Sequence, residues 1–159
     1  MRSPVEHLAK HRLDGATLMC MYGDDDGWDV FNAEERRAAK DHRCGECGRT
    51  IFKGERYAWA KGLSDGHWST MRTCLQCEAA KGWLLAVCSG YFFEMTVEDL
   101  RNHVDGDEWY ERSPALVRLV RWQAYDWYDR HGNLRAVEDV KALVTRAIEA
   151  SRKKGSLAA

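Results

Sequence analysis

His42-Arg-Cys44-Gly-Glu-Cys47-Gly-Arg49 and Arg72-Thr-Cys74-Leu-Gln-Cys77 are two CxxC pairs with 26 residues between them. Two intervening residues allow a single tight turn to aim both sulfurs at one point, and two such turns supply four. In a reducing compartment that pattern reads as a tetrahedral four-thiolate zinc site, with Cys44, Cys47, Cys74 and Cys77 as ligands. Gly45 and Gly48 are expected to give the first turn its backbone freedom. A redox dithiol ordinarily stands alone after a strand, and disulfides do not persist in the cytosol. Four thiolates leave no open position for water. The expected Zn2+, one per chain, is therefore structural rather than catalytic.

The residues between the pairs alternate with period two. Arg56-Tyr-Ala-Trp-Ala-Lys61 puts Tyr57 and Trp59 on one face, Ser64-Asp-Gly66 is a turn of the Asp-Gly type, and His67-Trp-Ser-Thr-Met-Arg72 returns. The second pair then opens a helix running to about Cys88, with an apolar stripe at Ala80, Trp83, Leu84 and Val87. The start of that helix favours anionic thiolates. Knuckle, hairpin and ligand-bearing helix together predict an α+β fold with a treble-clef-like zinc module. Helices are expected on both sides of it.

The motifs His42-Arg-Cys-Gly-Glu-Cys-Gly-Arg-Thr-Ile51, Gly54-Glu-Arg-Tyr57, Asp65-Gly-His-Trp-Ser-Thr70 and Arg72-Thr-Cys-Leu-Gln-Cys77 resemble a group of small zinc-binding proteins of phages and prophages. The resemblance covers roughly residues 20–103. It implies a metal and a phage or host-bacterial setting, and no reaction.

The 159 residues suit one compact unit, divided as a helical arm (1–43), the zinc module (44–103) and a helical hairpin packed on it (104–159). Ser3-Pro-Val-Glu6 predicts a helix over 4–13. Asn32 caps a short helix to Lys40, with a strand as its rival. Thr96-Val-Glu-Asp99 starts a helix to about His103, and the last helix runs from about Leu134 to Ser151. Gly23-Asp-Asp-Asp-Gly-Trp28 reads as a solvated loop lacking the calcium-loop spacing. Cys20 and Cys88 read as small buried hydrophobes, since Cys88 lies too far along its helix to share an ion with Cys77. His42 and His67 can hydrogen-bond a thiolate or simply face solvent.

A helix from Ser113-Pro114 to about His131 has Leu116, Leu119, Val120, Ala124 and Trp127 on one side. Arg118, Arg121, Trp122, Tyr125 and Tyr128 occupy the other. Arginine mixed with three aromatics is the composition of binding hot spots, so this second face is either sandwiched inside the fold or meets a partner.

Lys and Arg number 24 against 25 Asp and Glu, which argues against a dedicated polyanion binder. No apolar run is long enough for a membrane, and the first residues lack a secretory h-region, so a cytoplasmic protein of a bacterial host is expected. No phosphate loop, nucleophile elbow or HExxH is present, so no enzymatic activity is expected. An HNH-like nuclease stays a remote alternative: His67 heads a strand, but the later helical histidine is missing. The expected function is a binding protein that acts on a protein partner or self-associates. The alternative is a nucleic-acid-binding regulator, favoured by nine basic residues over 113–159.

Overall fold

The period-two stretches fold as read. β4 (Arg56–Ser64) and β5 (His67–Cys74) form an antiparallel hairpin, with Tyr57 opposite Cys74 and Ser64 opposite His67. The computed structural model describes residues 28–64, 66–87, 100, 101, 104 and 113–157. The expected helix over 4–13, the 23–27 loop, Cys20 and Cys88 lie outside them. Of the helix expected over 96–103, Leu100 and Arg101 are described and helical.

Where a helix from Asn32 to Lys40 was expected, the chain is a strand. β1 (Trp28–Arg37) pairs antiparallel with β4, completing a sheet of order β1-β4-β5. The helical arm over 1–43 is corrected accordingly: residues 28–43 supply β1 and then β2 (His42–Arg43). Ala, Glu and Arg favour helices by only tenths of a kcal/mol per residue, so tertiary pairing overrides them. The charges pair across and along the strands instead. Arg56 bridges to Glu35, a diagonal neighbour, and Arg36 pairs with Glu34.

β2 pairs with β3 (Thr50–Ile51) in a separate two-stranded ribbon around the first CxxC. Its turn closes through Gly48 N–H to the Cys44 carbonyl and Cys44 N–H to the Arg49 carbonyl, both 2.9 Å. Gly48 has φ +80°, so glycine is required there. Gly45, expected to share in the freedom of the turn, keeps a φ that any residue adopts. Its N–H instead donates to the Arg72 carbonyl at 2.8 Å, tying the knuckle to β5.

The second CxxC enters α1 (Leu75–Val87) directly from β5. Gln76, Cys77, Ala80, Lys81, Trp83, Leu84, Leu85 and Ala86 are all buried, so α1 is a core helix rather than an amphipathic surface one. α2 (Pro114–Ala124) starts as read, with Pro114 in its first turn and the Ser113 hydroxyl accepting from Leu116 N–H at 3.1 Å. α3 (Val137–Leu157) packs against both α1 and α2. One core joins the pieces: Ile51, Tyr57, Cys74, Cys77, Trp83 and Leu84 share it with Leu116, Leu119, Trp127, Val140 and Leu143.

The helix expected to reach His131 stops at Ala124. Asp126 and Trp127 are left-handed, at φ 51° and 67°, and the Trp127 N–H turns back onto the Trp122 carbonyl at 3.0 Å. Two non-glycine residues in this region cost about 1–2 kcal/mol each, a cost met by burying the Trp127 indole completely. The chain then makes a small loop. Asp129 accepts from the N–H groups of His131 (2.8 Å) and Asn133 (2.9 Å), Tyr128 bridges to Leu134, and the last helix starts at Val137 rather than Leu134. The Asn133 N–H first, and His131 after it, hold the exposed Asp129 carboxyl below its usual range.

Candidate metal centre

The sulfurs of Cys44, Cys47, Cys74 and Cys77 all lie within 4.8 Å of one another. They reach the cluster from three settings. Cys44 and Cys47 stand on the knuckle turn, Cys74 ends β5, and Cys77 lies in the first turn of α1. Cys47 Sγ and Cys74 Sγ are 3.9 Å apart. A disulfide needs about 2.05 Å. A tetrahedron with metal–sulfur bonds of about 2.3 Å has edges near 3.8 Å. The four cysteines are free thiols by this geometry and can hold a metal ion.

The protein around the sulfurs is arranged for negative charge. Cys74 N–H donates to Cys44 Sγ at 3.3 Å. Trp127 Nε1–H donates to Cys77 Sγ at 3.1 Å, and the Gln123 amide lies 3.8 Å from the same sulfur. The N-terminus of α1 faces Cys77 with its positive dipole end. Arg49 lies against Cys74. Burial opposes its charge, but Glu55 and the Cys74 sulfur more than restore it, so the guanidinium is held firmly protonated. The thiols themselves conflict. A hydrogen bond from Cys47 leads the influences that hold Cys44 far below the thiol range, while burial pushes Cys77 far above it. Four thiolates cannot share this buried space unless a cation sits among them.

Two buried polar links hold the knuckle against the rest of the chain. Arg49 donates to Glu55 (2.9 Å) and to Gln76 Oε1 (3.0 Å), and Gln76 Nε2 donates to the Arg135 carbonyl at 3.0 Å. Glu46, inside the first CxxC, pairs with Lys81 of α1 at 3.2 Å, both side chains fully withdrawn from water. Lys81 also meets Glu78 at 3.3 Å.

The structure thus brings together all four expected ligands and adds Trp127, Gln123, Arg49 and the Glu46–Lys81 pair; of these the sequence pointed only to Trp127, as a core residue rather than as a sulfur's partner. For Trp127 a signal existed: Tyr125-Asp-Trp-Tyr-Asp129 is a run of poor helix formers. His42 stacks at 5.4 Å from Tyr57, and among the described residues no histidine hydrogen-bonds a sulfur. His67 stands at the opposite end of β5 from Cys74, about 24 Å away at 3.4 Å per residue.

The five residues expected on one helix face are not on one helix. Arg118 and Arg121 are exposed on α2, while Tyr125 and Tyr128 fall in the turn and loop beyond it. Trp122 is half-buried beneath the Arg135 guanidinium, 4.0 Å from its ring centroid, and Tyr128 is half-buried at its bridge to Leu134. Tyr125 is 69% exposed. Among the described residues, no helix is long and apolar enough to cross a membrane. No family model, curated protein or solved structure matches the chain.

Proposed function

We propose that this chain is a non-enzymatic binding protein whose fold is built on one structural Zn2+ in a treble-clef-like module. The observation that carries the reading is the closed set of four cysteine sulfurs, surrounded by N–H donors from α2, β5 and the turn after α2. Zinc is the ion that a tetrahedral set of four thiolates suits best. The order of knuckle, β4–β5 hairpin and α1, with cysteines on the knuckle, at the end of β5 and in the first turn of α1, supports the treble-clef reading.

The chemistry of the site supports a structural role. Four sulfurs fill the coordination sphere, so no position remains to activate water. A nuclease of the HNH kind needs a histidine beside its metal, and His67 lies at the far end of β5. Burial of α1 along its length also argues against its use as a recognition helix in a DNA groove. The phage or prophage setting rests on the sequence resemblance alone. A protein partner at the exposed Arg118, Arg121 and Tyr125 is a second reading, favoured by the open tyrosine.

Metal analysis of purified protein tests the zinc. One equivalent per chain is expected, lost in Cys74→Ser together with cooperative folding. Protein that is folded and free of zinc would overturn the proposal.

A further inference from the structure

The sheet has two unlike faces. Directly opposed residues of antiparallel strands share a face, so the register sorts them. One face carries Ala60, Met71 and Thr73, all buried. The other begins in the core at Tyr57 and Cys74 and then runs outward through Trp59, Arg72 and Lys61. At its outer end Trp68 is 57% exposed. Cations and indoles interleave along this face. The Lys61 ammonium sits 4.8 Å above the Trp68 ring centroid, and the Arg36 guanidinium lies 3.5 Å above that of Trp59. Asn32 and Thr70, exposed on the same face, add neutral hydrogen-bonding groups opposite Lys61. Glu34 is the one carboxylate among the described side chains of this face, and Arg36 engages it.

A solvated sheet face does not ordinarily spend a tryptophan on water, since the ring gains most when water leaves it. The partner must therefore offer flat apolar surface and negative charge together. A protein partner would favour a face depleted of lysine at its centre, and here Lys61 is central. Duplex nucleic acid offers phosphates, but its bases are already stacked on one another. A single strand offers both: bases free to stack on indole rings or on a guanidinium plane, and phosphates for the cations. Trp59 and Trp68 lie four register positions apart, about 14 Å along the sheet, room for successive bases.

We propose that the outer half of this sheet face binds single-stranded nucleic acid, with bases stacked on Trp68 and on the Trp59–Arg36 pair and phosphates met by Lys61 and Arg72. The proposal rests on the binding-protein reading above and names the class of its partner. The overall charge near −1 disfavours a polyanion binder that is basic all over, and is compatible with this one because its cations are local to the face.

The test uses full-length, zinc-loaded protein and fluorescein-labelled single strands of about 20 nucleotides, DNA and RNA, with a DNA duplex as comparison. Anisotropy should show saturable binding of a single strand in the micromolar range and clearly weaker binding of the duplex. Neutralising two phosphates, at Lys61 and Arg72, predicts a roughly sevenfold loss between 50 and 200 mM salt. Trp68→Ala, at an exposed position, should keep the melting temperature and weaken binding about tenfold or more. Phe52→Ala, equally exposed but outside this face, should leave binding unchanged. No saturable binding below about 100 µM, duplex bound as tightly as single strand, or binding indifferent to Trp68→Ala would each overturn the proposal. The labelled strand should also run at full length on a denaturing gel. Its cleavage would instead overturn the non-enzymatic reading, and absence of zinc from folded protein would overturn the structural-zinc reading; the two failures are told apart from that of the surface.

Discussion

Cys77 receives the indole N–H of Trp127 at 3.1 Å, from a residue fifty positions later in the chain and held there by two left-handed residues. A hydrogen bond to a ligating sulfur spreads its charge and fixes its orientation, so its loss is felt at the metal. Trp127→Phe keeps most of the ring and removes the donor. Zinc affinity, measured by competition with a chromophoric chelator while the protein stays folded, should fall about 10- to 100-fold. Trp83→Phe trims an indole whose N–H meets Ser151 instead, so it should leave zinc affinity alone. Affinity unchanged in Trp127→Phe would show that the N–H does not act on the sulfur. The Glu46–Lys81 pair makes a second residue-scale prediction. Removing one partner strands a buried charge, so Lys81→Met should cost about 3–5 kcal/mol in denaturant unfolding of the zinc-loaded protein. Adding Glu46→Gln to that variant should recover much of the loss. A double variant no better than the single would contradict a direct coupling.

At the scale of elements, α1 contains Gly82, where a Cβ would meet only Val144 Cγ1, at an ordinary 3.5 Å. Alanine there gains helix propensity and loses unfolded-state entropy without a clash. Gly82→Ala should therefore stabilise the protein by about 0.5–1 kcal/mol, read as a rise in melting temperature. A fall would mean that α1 and α3 pack closer than 3.5 Å allows. The hairpin and α1 were legible in the sequence because their signals are local: strict alternation, an Asp-Gly turn, and ligands spaced for one ion. β1 was not, because Asn32-Ala-Glu-Glu-Arg-Arg37 has helix-forming composition and its partner β4 begins 19 residues beyond its end. The end of α2 was missed for a related reason. A wheel drawn through Tyr125 and Trp127 assumes helical backbone, whereas burial of Trp127 against Cys77 rewards leaving it. The four clustered cysteines could be read from spacing alone; the donors around them could not, since α2 and the turn after it meet the cluster only through tertiary packing.

Across the whole molecule, the knuckle, β5, α1, α2 and the turn after α2 converge on the four sulfurs. Four mutually repelling thiolates in a shared core make that convergence unfavourable without an ion and favourable with one. Structural zinc contributes on the order of 10 kcal/mol to folding at such sites, more than most domains have to spare. Residues from Ala38 to Ala147 share the core with the ligands, so the effect of metal loss is not confined to the knuckle. The most direct measurement is thermal unfolding followed by near-ultraviolet circular dichroism, before and after exhaustive chelation under reducing conditions, with zinc then added back. Chelation should remove the fixed tryptophan signal and the cooperative transition together, and one equivalent of zinc should restore both. A chelated protein with the same spectrum and the same melting temperature would contradict a structural role for the zinc.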